Sequence, residues 1–379
     1  MKKWIMITMM AFAAAVHAET TNTYLRAADN NWNNAGNWDT APANWTDYSA
    51  NLVFGAGDGS HYWTFNNVSP ANVASMTFTA DAAGGYSINN NGITFAKSDS
   101  HNLIVNDSNY GVVFSSGVVV NWTSGAGTRY IRANNGDINF GSVILGTGND
   151  TSPDLVFSAK SGRTITFRSA YTLNPGSTAR AMTLQGDGTG GSFALDSTIG
   201  GSASYIHNLI VEDAAAASLN MTAGQIEKIT LKSGTISYAK DNLSFGDVIF
   251  GQTSGGVANT IEFNGNDNDF GQLSITDTSG NNVLDFGDGD SVIVFDDSSS
   301  LSWASGLSII NFEDGVDSLR FGTDANGLTA AQLAQITVDG QTGASLDSNG
   351  FLVIPEPTTI SLFVISSAAL FLIRHNRCF

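Results

Sequence analysis

The chain has 379 residues and a formal net charge of −18, from 34 acidic and 16 basic side chains. This acidity excludes nucleic acid as a partner, because a protein that binds phosphates needs a basic face. The single cysteine, Cys378, excludes an intrachain disulfide and therefore the small disulfide-stapled folds of secreted proteins.

Residues 1–18 predict an export signal. Lys2 and Lys3 precede a mostly apolar stretch of 13 residues, 4–16, and a small-residue pattern ends at Ala18, where we expect cleavage. An uncleaved anchor helix is disfavoured, because such a stretch is shorter than the roughly 20 residues that span a bilayer. We therefore expect the mature chain to lie outside the cytoplasm.

Residues 19–75 are rich in tryptophan and asparagine and are predicted to form an N-terminal cap. Trp32, Trp38 and Trp45 lie among Asn and Ala residues in this segment. In one interpretation they close the open end of an elongated stack, because a terminal repeat needs a cap. In the other they are exposed and stack on sugar rings, which would make them carbohydrate contacts.

Residues 76–325 contain many short segments rich in Val, Ile, Phe and Thr, separated by Gly, Asn, Asp and Ser. This pattern predicts β-strands joined by turns. Residues 102–106 and 163–168 are clear examples. Helical periodicity is confined to residues 328–336, where Thr329 is predicted to cap a short helix that precedes the final strands of residues 326–354.

An internal duplication indicates a repetitive architecture. Three pairs of segments match at offsets of 105 or 106 residues: 76–85 with 182–191, 101–107 with 207–213, and 140–146 with 245–251. They define two units, near 76–181 and 182–287. A unit of this length holds four or five coils of roughly 20–30 residues.

Many short strands and a repeat in register predict an all-β fold, a right-handed parallel β-solenoid (β-helix). Each coil lays its strands on the previous coil, and Asn and Ser side chains satisfy the turn backbone. One or two antiparallel β-sandwiches are the alternative, since they also contain many short strands. Sandwiches do not require a repeat at constant offset, so the solenoid is favoured.

The candidates for a metal site lie in residues 241–354, which contain 17 acidic residues and a single base, Arg320. Asp285, Asp288 and Asp290 lie close together beside glycines, a pattern that suits oxygen ligation of Ca²⁺. The ligand spacing of an EF-hand and the repeated nonapeptide of a β-roll are both missing. Solvated turn carboxylates are therefore preferred, with no cofactor expected and Ca²⁺ as the alternative.

No constellation in the sequence predicts catalysis. His101 and His207 occupy equivalent places in the duplicated segments, as a repeat requires, and no nucleophile or carboxylate completes a triad around them. Arg163, Arg168 and Arg180 suit a β-helix polysaccharide lyase, but they are distant along the chain from the acidic third. The chain is predicted not to be an enzyme, with a polysaccharide lyase or hydrolase as the alternative.

The C-terminal tail combines three features. They are a Pro-Glu-Pro motif at Pro355, Glu356 and Pro357, an apolar run at 358–373, and a basic end at Arg374 and Arg377. The run is about 24 Å long as a helix, short of the roughly 30 Å of hydrocarbon, and snorkelling arginines complete the span. The arginines stay cytoplasmic by the positive-inside rule, which leaves residues 19–354 outside.

This tail resembles the PEP-CTERM sorting signal, although its basic end is sparser than is usual in that family. The resemblance implies that an exosortase-type processing enzyme is a partner, which cleaves near the Pro-Glu-Pro motif and passes the protein to the cell surface or extracellular polysaccharide matrix. The β-rich interior is similar to passenger regions with autotransporter-associated strand repeats. A permanent single-pass inner-membrane anchor is the alternative for the tail.

The sequence therefore predicts a non-enzymatic, exported surface or matrix protein, held first in the inner membrane and then sorted outward. Extracellular polysaccharide is the expected ligand or neighbour. A carbohydrate-binding surface protein is the second hypothesis.

Overall fold

The structure is a computed structural model. It describes residues 20–25, 31–42, 45, 49–56, 63–66, 68, 71–90, 92–96, 101–121, 128–145, 155–168, 171–173, 181–196, 205–221, 225–251 and 256–354. The predicted export signal and sorting tail lie outside these residues. Within the described part of the chain, no helix is both long and apolar enough to cross a membrane.

Short strands stack into a parallel β-solenoid with three faces, which follow one another along each rung. The strands of the first face are Thr20–Tyr24, Ala50–Phe54, Ser75–Phe78, His101–Asn106, Arg129–Ala133, Leu155–Ala159, Ala181–Gln185, Asn208–Leu219, Lys228–Tyr238, Asp247–Phe250 and Leu273–Ile275. Those of the second face are Trp63–Asn66, Tyr86–Asn90, Val112–Asn121, Ile138–Leu145, Thr164–Phe167, Ser192–Leu195, Asn259–Glu262, Asn282–Asp285, Leu307–Ile310 and Ile336–Val338. Those of the third face are Ala71–Val73, Ile93–Ala96, Tyr171–Leu173, Tyr205–Ile206, Gln225–Ile226, Leu243–Ser244, Asn268–Phe270, Val292–Phe295 and Ser318–Phe321.

Four long strands turn a corner and belong to two faces. Asn208–Leu219 and Lys228–Tyr238 continue from the first face into the second. Val112–Asn121 and Ile138–Leu145 continue from the second face into the third. The remaining regular elements are a 3-10 turn at Ala35–Asn37, an α-helix at Ala330–Leu333, and a C-terminal hairpin of Ser345–Leu346 and Leu352–Val353.

The strands of neighbouring rungs are parallel and in register. The sequence distance between register partners on parallel strands varies from 19 residues, between Lys228 and Asp247, to 30 residues, between Thr20 and Ala50. Among the described strand pairs, only the C-terminal hairpin is antiparallel. The prediction of an all-β parallel β-solenoid is therefore confirmed, and the antiparallel sandwich is wrong.

The core consists of columns of apolar side chains. Alternate residues of a strand point to opposite faces of the sheet, so in-register stacking places like residues above one another. The inward column of the first face is fully buried and contains Leu52, Met76, Ile104, Ile131, Phe157, Leu184, Val211, Leu231, Phe250 and Ile275. A second column stacks Phe245, Phe270, Phe295 and Phe321, with ring centroids 5.4, 5.0 and 5.3 Å apart.

The parallel ladder extends beyond residues 76–325 at both ends. Thr20–Tyr24 already pairs with Ala50–Phe54, so the predicted cap contributes rungs of its own. Ile336–Val338 pairs with Leu307–Ile310 at the other end. Between Ser318–Phe321 and Ile336–Val338 the chain forms the short helix, in the position where the first face would have its next strand.

The short helix begins as predicted. Thr329 accepts a hydrogen bond from the Gln332 N–H, and the Gln332 side chain in turn accepts one from the Thr329 N–H, which completes a capping box. Nε2 of Gln332 also donates to the carbonyls of Ser298 and Leu301, both at 2.9 Å. The helix is therefore fastened to the rung below it.

Two of the three duplicated segment pairs lie in matching positions. Strands His101–Asn106 and Asn208–Leu219 are on the first face, four rungs apart. Met76 and Met182 are likewise buried on first-face strands. In the third pair the positions differ, because Phe140 lies on the second face and Phe245 stacks on the third. That match reflects a similar turn at two different corners.

Candidate functional site

The three aspartates that were candidates for a Ca²⁺ site lie at the corner between the second and third faces. Asp285 ends Asn282–Asp285, and its Oδ1 accepts hydrogen bonds from the Gly287 N–H at 2.9 Å and from Nδ2 of Asn311 at 2.8 Å. Asp288 and Asp290 are exposed in the turn that follows. In the described part of the chain, no three His, Cys, Asp or Glu side chains converge on a point that would suit a metal ion.

Other corner carboxylates join one rung to the next. Oδ1 of Asp267 accepts a hydrogen bond from the backbone N–H of Val292 at 2.7 Å, and Oδ1 of Asp317 accepts one from Ser291 at 3.0 Å. The same contact joins Asp137 to Thr164, Asp187 to Ser161, Asp241 to Asp267, Asp247 to Gln272 and Asp339 to Asn311. At each of these positions a carboxylate satisfies a backbone N–H, and hydrogen bonds to charged acceptors are the stronger ones.

Two buried asparagines also join neighbouring rungs, with neutral side chains. Oδ1 of Asn259 accepts from the Ser233 N–H at 2.7 Å, while Nδ2 donates to the Gly251 carbonyl at 2.9 Å and to Oδ1 of Asn282 at 3.1 Å. Asn282 then donates to Oγ of Ser305 and to the Gly306 carbonyl, both at 3.1 Å. These contacts form an asparagine ladder along the edge of the second face.

A regular spacing in the sequence predicts these contacts, but it is shorter than the offset of the duplication. Each corner aspartate and its partner are 25–28 residues apart. The stacked phenylalanines, from Phe245 to Phe321, recur at the same interval. A search at the length of one rung, instead of four, would have identified the partners.

One pair of carboxylates lies on the outer surface of the second face. Glu262 and Asp285 are register partners on adjacent strands. Partial burial, and secondarily the charge of Asp285, raises the pKa of Glu262. Beside Glu262 runs a shallow groove of about 370 Å³ whose walls are mostly Ser, Thr and Ala. The pair is a site of like-charge repulsion at the end of a hydroxyl-lined surface.

The arginines of a lyase-type site are not brought to the acidic corner. Arg163 and Arg168 flank Thr164–Phe167, which lies five rungs from Asp285 on the second face. At about 4.8 Å per rung, the separation is roughly 24 Å. Arg180 lies outside the described residues.

The two histidines lie on first-face strands or beside them. His101 begins His101–Asn106, and its backbone N–H donates to the Thr128 carbonyl at 3.1 Å. Nδ1 of His207 pairs with the Glu227 carboxylate of the next rung, and both side chains are partly exposed. This contact is a cross-rung pair, as expected for a repeat position.

The tryptophans pack at the N-terminal end of the stack. Trp32 and Trp38 are 1% and 4% exposed, and Nε1 of Trp38 donates to the Trp32 carbonyl at 2.9 Å. Trp45 is partly buried and stacks on Trp32 with ring centroids 5.9 Å apart. Phe54 packs beneath Trp32 and Trp38 and stacks in turn on Phe78. This arrangement favours the capping interpretation, because two of the three rings are unavailable to a sugar.

The motif and basic end of the predicted sorting tail, residues 355–357 with Arg374 and Arg377, lie outside the described residues. No protein-family model matches the chain, and neither a curated protein nor a solved structure is significantly similar to it. Its function is therefore argued from its own residues.

Proposed function

We propose that the protein is a non-enzymatic, exported structural component of the cell surface or extracellular matrix. The supporting observation is the use made of its corner carboxylates. Side chains of the kind that would form a catalytic or metal site, such as Asp267 and Asp317, accept backbone hydrogen bonds between rungs. Their chemistry is used to hold the stack together.

The same arrangement supports a stiff, acidic rod. Each rung contacts mainly its neighbours, and a continuous column of buried side chains runs through the stack. The net charge of −18 keeps such rods apart in solution and attracts cations to their surface. The coil is expected to be right-handed, because parallel crossover connections almost always are.

Export and sorting are the second part of the proposal, supported by the two ends of the sequence. The export signal delivers the chain across the inner membrane, the apolar run 358–373 holds it there, and an exosortase-type enzyme processes it near Pro355-Glu356-Pro357. The protein then reaches the surface or the polysaccharide matrix.

Replacement of Pro355, Glu356 and Pro357 by alanine tests the sorting step. The variant is expected to remain in the inner-membrane fraction at its unprocessed size, whereas the wild type is processed and found at the surface. The double variant Asp288→Ala, Asp290→Ala is the control, because it changes an exposed turn that is distant along the chain from the Pro-Glu-Pro motif. Unchanged size and surface delivery of the tail variant would refute the sorting proposal and favour a permanent anchor.

The enzyme alternative has its own test. Purified protein is incubated with neutral and acidic polysaccharides, with and without a chelator, and new reducing ends or unsaturated products are measured. We expect neither product to form. Turnover abolished by the Glu262→Gln change would show instead that the carboxylate pair of the second face is catalytic.

A further inference from the structure

A cleft of about 400 Å³ lies at the corner where the third face ends. It opens beside Val292–Phe295 and Ser318–Phe321, the last two parallel strands of that face. The polar residues of its lining are Gln272, Asp296, Asp297, Arg320, Thr323 and Asp324. Its volume falls within the range of roughly 300–1,000 Å³ that is typical of small-ligand pockets.

Arg320 is the single base of residues 241–354. Its side chain is half-buried, and its guanidinium carbon lies 5.7 Å from the centre of the Phe351 ring. Nε is buried and has no hydrogen-bond partner among the described residues. Within the described part of the chain, Arg320 forms no ion pair, although three carboxylates line the same cleft. The guanidinium is therefore held in place by packing, and its N–H groups can donate hydrogen bonds to a ligand.

The other polar groups of the cleft offer mainly acceptors. Asp297 is held by Ser299, whose hydroxyl and N–H both donate to Oδ1, and these bonds lower the pKa of Asp297. Nε2 of Gln272 donates to the Asp297 carbonyl at 2.6 Å, which leaves the amide oxygen of Gln272 as an acceptor. The Asp296 carboxylate accepts no hydrogen bond from the described residues.

This set of groups favours a neutral polyhydroxyl ligand. A sugar hydroxyl donates one hydrogen bond and accepts others, so adjacent hydroxyls can bridge a carboxylate and a guanidinium. Phosphate and uronate groups would be repelled by three carboxylates. Among the described residues these carboxylates do not converge on a point that would suit a metal ion. An apolar ligand would leave the guanidinium and the carboxylates without partners.

We propose that this cleft binds a neutral sugar residue, with Arg320 donating to its hydroxyl oxygens and Asp296 and Asp324 accepting from its hydroxyl groups. The proposal deepens the matrix function and rests on it in one respect, since the extracellular setting is what supplies a polysaccharide. The contacts themselves depend only on the chemistry of the cleft.

The test uses the purified full-length chain and measures binding directly. Neutral oligomers of glucose, galactose and mannose are the ligands, with polygalacturonate and inorganic polyphosphate as charged comparators. The wild type is expected to retain at least one neutral oligomer and neither polyanion. Arg320→Gln loses charge-assisted hydrogen bonds and is expected to weaken that binding by roughly tenfold to 100-fold. Asp296→Asn is also expected to weaken it.

Two further variants serve as controls. Asp288→Asn makes the same charge change as Asp296→Asn, but in an exposed turn outside the cleft, and should leave the affinity for the sugar unchanged. Arg320→Lys keeps the charge but loses the planar pair of donors, so it should also bind weakly even if Arg320→Gln fails to fold. Thermal unfolding of each variant identifies loss of fold.

The outcomes separate the cleft from the matrix function. Absence of neutral-oligomer binding, equal binding by folded Arg320→Gln and wild type, or a preference for a polyanion would each overturn the cleft proposal. Surface delivery, scored in cells with the tail variant, tests the matrix function independently. A wild-type chain that binds sugar but is not delivered to the surface would overturn only the matrix function.

Discussion

Replacement of Asn259 by alanine tests whether corner amides hold the rungs together. Its buried side chain accepts from the Ser233 N–H and donates to the Gly251 carbonyl and to Asn282. Alanine removes the partner of two backbone groups that no water can reach easily. Each lost buried partner costs about 1–3 kcal/mol, so we expect the free energy of unfolding to fall by about 2–6 kcal/mol.

The loss should also be local. Rungs of a solenoid interact mainly with their neighbours, so a broken corner weakens adjacent rungs more than distant ones. Hydrogen exchange should therefore accelerate at the amides of Lys228–Tyr238 and Asn259–Glu262 and remain unchanged in Arg129–Ala133. Urea unfolding gives the overall change in free energy.

Two comparisons make the measurement decisive. Asn281→Ala removes an exposed amide immediately before the neighbouring strand, Asn282–Asp285, and should cost little. Asn259→Asp keeps the shape and the acceptor but loses the donor to the Gly251 carbonyl. It should therefore also lower the free energy of unfolding, and the burial of a charge adds to that loss. If Asn259→Ala lost less than about 0.5 kcal/mol, or no more than Asn281→Ala, the role assigned to corner amides would be refuted.

Three further changes test the core and the surface charges. Phe270→Ala removes the middle of the phenylalanine stack and should cost about 3–5 kcal/mol in thermal unfolding, with Phe270→Leu clearly milder; equal losses would argue against the stack. Glu262→Gln removes the cost of partly burying a charged carboxylate and, secondarily, its repulsion by Asp285, and should stabilise the protein by roughly 0.2–1 kcal/mol at neutral pH. Because the folded pKa of Glu262 is raised, that gain should vanish below the ordinary glutamate value of about 4.3, and a gain that persisted in acid would contradict this cause. The hydrogen bonds from Ser299 lower the pKa of Asp297, so their contribution is present above about pH 4 and is lost as the pH falls through the lowered value. Asp297→Asn should make the acid limb of unfolding less steep, and an unaltered acid limb would count against it.

The architecture was accessible from the sequence because two regularities agree. Strand-length apolar alternation predicts β-structure, and a constant offset between repeats predicts stacking. The helix cap at Thr329 was also accessible, since a capping residue and its partner are three residues apart. In each case the interacting residues are close in sequence or belong to a visible repeat.

The roles of the polar residues were not accessible in the same way. Whether Asp267 binds a cation or the Val292 N–H depends on which residue the next rung places beside it. That register follows from the length of one rung, which the offset of about 106 residues does not reveal. Likewise, tryptophan occurs both in buried cores and at binding surfaces, so composition alone could not place Trp32 in the interior. The cleft around Arg320 involves three successive rungs and has no sequence motif.

The short helix at Ala330–Leu333 protects an open edge at the C-terminal end of the solenoid. An open parallel edge is a template on which another strand can add, whether from a second molecule or a misfolded copy. The helix takes the place of the next first-face strand, and the antiparallel hairpin does so on the third face. Tryptophans close the opposite end. Growth by end-to-end strand addition is therefore blocked on these faces.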